Sequence, residues 1–456
     1  MAILAGVGHS ALSGADFQSG SLYYDLLSDG SVEVAAPDTG ASYVGVVTIP
    51  ASVRHGSVQR QVSGVGAHAF SGCGELTGII LSEGIGYIGS YAFYDCGNLE
   101  SAVLPSSLSV IEGRAFAMCG SLEDITFPVQ LSEIGENAFS HCSSLSEIGR
   151  PAKYVNLGDG CFSYCTSLPT ADLSGHYGSM GIGIFRGCSA LERVTLRDDL
   201  PEIPAYTFAD CISLSGIVLP EGLAEIGEWA FNGCSSLKEV SIPALTEVIG
   251  ERAFAGCSGI SELTFPERGK AEIGAGAFEN LSKLPWVFLQ GVRSIGESGF
   301  ANCGSLEWIE LEREVEEIGS RAFANCSALR RIYAHSDWPA RITVNTFDTS
   351  TERSGELLVF PEARERYGLA AYWNRFDNIT ATEDFPLSTP LLAMDEITVV
   401  AQNGRILIGG EAGLVRVFDI SGHQLYEGGT AELAGRTWPH GIYMVTYPGG
   451  ASKVRL

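Results

Sequence analysis

Apolar residues recur along the chain with a period of about 23 residues, from around Val65 to around Ser350. Each repeat is marked by a phenylalanine, and in most repeats a cysteine follows three positions later. Leaving out Cys161, the nine cysteines from Cys73 to Cys257 are separated by this same interval every time. The phased phenylalanines are Phe70, Phe93, Phe116, Phe139, Phe162, Phe185, Phe208, Phe231, Phe254, Phe278, Phe300, Phe323 and Phe347.

The residues after each cysteine follow the pattern Leu-x-x-Ile-x-Leu, often with a proline behind it, as in Leu214, Ile217, Leu219 and Pro220. The alternation x-Ile-x-Leu predicts one short β-strand per repeat, and proline ends the strand because it has no N–H to donate. A unit of this length cannot bury its apolar face alone, so neighbouring units must stack. The pattern therefore predicts a solenoid whose stacked strands form a parallel sheet.

The phenylalanine lies on the opposite wall of each predicted turn, within the motif Ala-Phe-x-x-Cys. We expect this segment to form a turn of helix, with the ring filling the interior. An aliphatic residue stands five positions before the phenylalanine and is usually followed by glycine, as at Ile226-Gly227. Glycine there indicates a special backbone conformation or a close approach that a side chain would block.

The string Ile-Gly-x-x-Ala-Phe-x-x-Cys-x-x-Leu-x-x-Ile-x-Leu-Pro resembles the BspA-type leucine-rich repeat of bacterial cell-surface proteins. The resemblance covers about residues 20–380 and implies a leucine-rich repeat arc of about twelve turns, with short helical or turn segments opposite the strands. It divides this part of the chain into an N-terminal segment and β cap (1–64), the repeats (65–350) and a C-terminal cap (351–380). Glu112 and Pro204 replace the glycine, Leu281 replaces the cysteine, and the units around residues 150–180 are degenerate.

A linker (381–395) containing Pro386 and Pro390 precedes a last segment, 396–456, in which alternating apolar residues predict a small β-sandwich. From Ile397 to Leu456, four acidic and five basic residues give a net charge of +1, so residues 1–396 carry −27, which supports a domain boundary. The strings at Asp419–Gly422, Gly441–Val445 and Lys453–Leu456 resemble the C-terminal sorting domain of type IX secretion. That resemblance implies transport across an outer membrane, and a similar sandwich that only tethers the protein is the alternative.

The chain of 456 residues holds 54 acidic and 28 basic residues, a net charge of −26. Nucleic acid and anionic membranes both require a cationic face, so neither is expected as a partner. No apolar run approaches the ~18 residues of a membrane span. Met1–Gly20 lacks the cationic start of a secretory signal. We therefore expect an extracellular or surface protein whose native signal peptide is absent from this sequence.

No catalytic or metal-binding pattern stands out. The twelve cysteines favour a stack of buried thiols over disulfides, because in-register side chains point in parallel. The sequence contains no Cys-x-x-Cys motif and no matching histidine spacing of the kind that binds zinc. The eight histidines share no repeat position. Carboxylate pairs such as Asp198-Asp199 and Glu316-Glu317 are typical of a solvated edge, with calcium binding or acid–base chemistry as the alternatives. The prediction is a protein without cofactor, metal or catalytic residues.

The function class that remains is binding of a partner through the surface of the protein. Between the core positions of each strand, the outward residues are mostly small or acidic until three consecutive repeats, where they become large and aromatic. Aromatic residues and arginine dominate binding hot spots, so these positions are a candidate site for a protein or a glycan. Coverage by the C-terminal cap or by the last domain is the equally weighted alternative. The candidate residues are Trp286, Phe288, Trp308, Arg331 and Tyr333, with Trp338 close behind in sequence.

The sequence thus favours a non-catalytic, adhesin-like surface protein. The family resemblance implies that the sheet face of the solenoid binds a host or neighbouring-cell protein, with host matrix proteins among the candidates. A structural spacer without a ligand is the alternative, and a surface hydrolase is the third. Caps at both ends of the solenoid indicate a monomer.

Overall fold

The computed structural model describes residues 14–37, 42–149, 154–175, 178–266, 268–383 and 385. Beyond these it describes the strands of residues 398–455 named below together with Leu433 and Arg436. The chain forms two compact units, Met1–Thr382 and Glu383–Leu456. The predicted solenoid is confirmed in the first unit, which contains little helix. The expectation about a secretory signal concerns Met1–Gly20, most of which lies outside the described residues. Most of the linker 381–395 also lies outside them.

The predicted strands form one side of the solenoid, which we call ladder A. They pair in parallel with their equivalents one turn away, for example Trp286 with Trp308. The pairing is interrupted between residues 103 and 286, and it is continuous over the last five strands. The strands of ladder A are Gly45–Ile49, Leu76–Leu81, Ser101–Val103, Asp124–Ile125, Glu147–Ile148, Thr170–Leu173, Arg193–Leu196, Glu239–Ser241, Glu262–Thr264, Trp286–Leu289, Trp308–Leu311, Arg331–Ala334, Glu356–Val359 and Ile379–Ala381.

A second strand per turn, which the sequence pattern did not predict, forms ladder B. Most of its members are two residues long and lie just before the glycine of the repeat, so the expectation of one strand per turn was too low. Isolated parallel β-bridges from Leu157 to Met180 and from Glu317 to Arg341 extend the pairing of ladder B. The strands of ladder B are Val58–Val65, Tyr87–Ile88, Val110–Ile111, Glu133–Ile134, Asn156–Leu157, Glu202–Ile203, Glu225–Ile226, Val248–Ile249, Ala271–Ile273, Val292–Ile295 and Glu317–Ile318.

The third wall consists of turns, so of the two expected forms, helix or turn, the structure has the turn. Backbone N–H groups there donate to the next repeat, as Phe93 does to the carbonyl of Ala115 at 2.7 Å. Two residues per turn have positive φ, for example Tyr91 (58°) and Asp95 (59°). Because a helix needs negative φ throughout, these two positions prevent one from forming.

A column of stacked phenylalanines fills the interior. All thirteen phased rings are buried, and neighbouring rings such as Phe70 and Phe93 lie 4.9 Å apart at 16°. Tyr43 covers the first ring at 4.4 Å. At the other end, Phe347 packs on Trp373 and Phe376, at 5.7 and 5.5 Å. The aromatic column therefore ends on aromatic residues at both ends instead of on water.

The segments around the repeats are irregular. At the N-terminal end, Val32–Ala35 pairs in parallel with the first strand of ladder B. The strands outside the ladders are Phe17–Ser19, Leu22–Leu26, Val32–Ala35 and Ser52–His55, and the helical segments are Thr349–Ser354, Arg364–Leu369 and the 3-10 turn Trp373–Arg375.

The described strands of the second unit all pair antiparallel, in one sheet of two strands and one of four. The packing of these two sheets as a sandwich stays a prediction. Ser421 and Gly422, part of the string that resembles the sorting domain, lie outside the described residues. The strands are Thr398–Gln402, Arg405–Gly409, Val415–Asp419, Gln424–Gly428, Ile442–Tyr447 and Gly450–Arg455.

Candidate functional site

The candidate residues lie on the longest uninterrupted part of ladder A. The register aligns Trp286, Trp308 and Arg331 in one row across three strands. A second row, two residues further along each strand, aligns Phe288 with Glu310 and Tyr333. Alternation places both rows on the outer face, opposite the interior residues Val287, Ile309 and Ile332. The repeat thus brings together all five residues named from the sequence.

The first row is open to solvent. The indoles of Trp286 and Trp308 stack with their centroids 5.8 Å apart at 18°, and both are half-buried. Arg331, the next in the row, is exposed. The half-buried Tyr333 meets Trp308 edge-on at 5.9 Å. We call Trp286, Trp308, Arg331 and Tyr333 the aromatic patch.

The second row differs from the expectation of solvent-facing side chains. Phe288 is only 4% exposed and Glu310 is fully buried, although both alternate outward. The equivalent outward position four repeats earlier than Glu310, Val218, is 86% exposed. Phe288 therefore offers almost no surface to a partner, and the accessible part of the site is the aromatic patch.

Trp338 lies in the loop after the last strand of the patch and is 71% exposed. The guanidinium of Arg366 stands 4.6 Å from the centre of its ring. A cation over an indole is attracted by the electron-rich face of the ring. Sequence proximity suggested that Trp338 accompanies the patch, and the structure supplies Arg366 as its partner.

Sequence reasoning missed a group formed by Glu310, Glu312 and His335. Their candidate ligand atoms all lie within 4.8 Å of one another. His335 Nε2 contacts Glu310 Oε1 directly. Burial raises the pKa of Glu310, and the neighbouring imidazole opposes this rise. One signal was available, since Glu312 and His335 are one repeat apart in the sequence.

The carboxylate pairs named from the sequence include members bound to arginine. Asp199 lies 3.2 Å from Arg197. Glu316 lies 3.4 Å from Arg293, and Glu317 lies 3.0 Å from Arg341. A carboxylate held by a guanidinium is a poor calcium ligand or acid–base catalyst, because its charge is already compensated.

The twelve cysteines are free and buried. Ten of them donate the thiol S–H to the carbonyl of the phenylalanine one turn back, as Cys96 does to Phe70 at 3.0 Å. Burial raises the pKa of Cys96 and of Cys142 to about 12. A thiol that stays protonated is neither a nucleophile nor a metal ligand, so this cysteine column is structural.

The fold defines a class of protein, the leucine-rich repeat solenoids. The sequence matches the BspA type leucine rich repeat region over residues 51–169, 155–285 and 271–356, and the chain belongs to this family. No helix in the described part of the chain is long and apolar enough to cross a membrane.

Two solved structures show the fold independently. A leucine-rich repeat protein from Bacteroides ovatus is 27% identical, with a TM-score of 0.50, covering 72% of this chain and 99% of its own. The pneumococcal vaccine antigen PcpA is 19% identical, with a TM-score of 0.55, covering 82% of this chain and 100% of its own. No curated protein matches the sequence.

Proposed function

We propose that this protein is displayed on the bacterial surface and binds an extracellular protein or glycan through the aromatic patch, without catalysis. The observation that carries the proposal is the stacked pair Trp286 and Trp308 beside the exposed Arg331, on three adjacent strands. Tryptophan and arginine release the most binding energy when a partner covers them, because they combine large apolar area with polar edges. Elsewhere the outer face of ladder A carries mainly small or acidic residues.

Membership of the BspA type family supports a surface location and an adhesin-like role. In this proposal the segment 396–456 acts as the sorting or anchoring domain, and the solenoid works as a monomer. The partner presents a basic or neutral face, since a net charge of −26 repels acidic surfaces. A structural spacer is the second candidate, supported by the burial of Phe288, which leaves less open surface than the sequence suggested.

The experiment is a binding screen of the purified chain against arrayed matrix proteins, mucins and glycans. The double variant Trp286→Ala/Trp308→Ala is screened beside the parent. A matched control is Tyr206→Ala/Trp229→Ala, because these rings also stack, 6.0 Å apart at 8°, but belong to the wall of turns. Circular dichroism melts confirm that each variant is folded.

A partner lost in the patch variant and retained in the control supports the proposal, with at least a ~10-fold weaker affinity expected from two hot-spot residues. A partner that both variants retain equally moves binding away from the patch and overturns this site. If the parent protein binds nothing on the array, the result favours the structural spacer. A melting temperature that falls much more in the patch variant than in the control indicates that the tryptophans serve packing.

A further inference from the structure

The group formed by Glu310, Glu312 and His335 lies beside the aromatic patch and has no role in the binding proposed above. Glu310 is on the strand Trp308–Leu311, and Glu312 directly follows this strand. His335 directly follows the neighbouring strand Arg331–Ala334, which pairs in register with the first. Glu310 is therefore held within a strand, and Glu312 and His335 lie at the first position after two adjacent strands, where the His335 N–H still donates to the carbonyl of Leu311 at 2.9 Å.

The state of Glu310 points to a missing ligand. Its side chain is fully buried, yet Oε2 has no hydrogen-bond partner. A buried carboxylate oxygen left without a partner is costly, and such groups are normally hydrogen-bonded or bound to a metal. The other oxygen, Oε1, contacts His335 Nε2, so the orphaned oxygen belongs to a carboxylate that is already directed into the cluster.

We propose that Glu310, Glu312 and His335 form a binding site for a divalent transition-metal ion, with Zn²⁺ as the ion that best suits the donors. Imidazole nitrogen and carboxylate oxygen are both Zn²⁺ ligands, and three protein ligands leave a fourth position to water or a partner. Ca²⁺ is disfavoured because it takes six to eight oxygen ligands and no nitrogen.

The distances allow this with small side-chain movements. Ligand atoms around tetrahedral Zn²⁺ are ~3.3 Å apart, given metal–ligand bonds of ~2.0–2.1 Å. The candidate atoms already lie within 4.8 Å of one another. His335 and Glu310 would exchange their direct contact for bonds to a shared ion. The ion would join two turns of the solenoid at the carboxyl ends of the strands that carry Trp308 and Tyr333.

The test is titration of the chelator-treated full-length protein with ZnCl₂ by calorimetry, under conditions where circular dichroism shows it to be folded. We expect one ion per chain. Glu310→Gln and His335→Gln should each weaken binding by more than the ~10- to 100-fold typical of losing a second-shell partner. Matched controls are Glu316→Gln, an exposed carboxylate, and His141→Gln, a histidine stacked on Tyr164. Both controls should bind like the parent.

Cobalt spectroscopy separates this site from the cysteines. CoCl₂ added to the folded protein should give the visible bands of a tetrahedral nitrogen–oxygen site without a thiolate-to-cobalt charge-transfer band. If His335→Gln does not fold, Glu312→Gln replaces it, since Glu312 is half-buried. The proposal is overturned by absence of Zn²⁺ binding, by binding that Glu310→Gln leaves unchanged, by a thiolate band, or by tighter binding of CaCl₂ than of ZnCl₂.

Discussion

A buried thiol that donates to a main-chain carbonyl recurs at ten turns of the solenoid. Cys96 and Cys142 show both parts of its role: the sulfur fills a small apolar space, and the S–H reaches the phenylalanine carbonyl of the preceding turn. Alanine would leave a gap and remove the donor. This combination explains why cysteine, and not alanine, occupies the position in eleven repeats.

The thiols make stability depend on pH in the alkaline range. The folded-state pKa of eight cysteines is raised above the reference value of 9.0, by burial in seven of them and by a neighbouring thiol together with burial in Cys303. As pH rises through 9, the unfolded chain therefore loses these protons first, and stability falls; below about pH 8 the effect vanishes. For Cys96 and Cys142, whose pKa is raised to about 12, the loss of stability is about 1.4 kcal/mol each by pH 10. We expect the urea midpoint, measured under reducing conditions, to collapse between about pH 9 and pH 10.

The double variant Cys96→Ala/Cys142→Ala is the control for this effect. Removing these two thiols should make the alkaline loss of stability measurably smaller than in the parent, although the variant is less stable at neutral pH. A urea midpoint that stays constant from about pH 7 to pH 10 in the parent would contradict the assigned role of the thiols.

The turn conformation could have been predicted at this same scale. The residue two positions after each phenylalanine has positive φ from Gly72 to Asn325, and nine of these twelve residues are glycine, asparagine or aspartate. Those types tolerate the left-handed region best, so their recurrence indicates a turn and argues against helix. The burial of Glu310 could not have been predicted, because its position alternates outward like the exposed Val218.

At the scale of elements, the glycines of ladder B set how closely the turns stack. A Cβ on Gly227 would lie 2.5 Å from the backbone nitrogen of Ala205 in the preceding turn. Backbone cannot move aside as a flexible side chain can. Of the two explanations suggested by the sequence, close approach is the one that the structure shows here.

Gly227→Ala should therefore destabilise the protein by about 2 kcal/mol or more, as overpacking of a rigid contact does. Gly216→Ala is the matched control, because a Cβ there meets nothing within 4 Å and its φ is not positive. The control should change stability by less than ~1 kcal/mol, in the stabilising direction. Equal melting temperatures for the two variants would show that the turns can separate without cost.

Sequence pattern predicted ladder A and failed for ladder B for a physical reason. Most strands of ladder A carry three or four alternating residues, enough for a period of two to be visible. In ladder B a pair such as Glu225–Ile226 is too short to show a period, and its order comes from hydrogen bonds to the neighbouring turns. The continuous part of ladder A begins with the three strands of the aromatic patch, where large residues on both faces favour strand.

For the whole molecule, stacking in register turns the acidic composition into rows of like charge. Glu202 lies directly beside Glu225, and Glu239 lies beside Glu262. Like charges directly opposite each other on adjacent strands are destabilising. The net charge of −26 adds a longer-range repulsion that the compact state feels more than the extended chain. The caps and the phenylalanine column must offset this repulsion.

Salt should consequently stabilise the protein. Between about 10 mM and about 150 mM NaCl the Debye length falls from ~30 Å to ~8 Å, which screens distant charges while effects of salt on hydrophobic burial are still small. We expect the melting temperature to rise by about 3 °C or more, corresponding to ~1 kcal/mol. The variant Glu225→Lys/Glu262→Lys replaces repulsion by attraction in two rows, so it should melt higher at low salt and respond less to added salt. A parent melting temperature that is unchanged or falls over this range would mean that the acidic rows are already compensated, and that charge does not limit the stability of the solenoid.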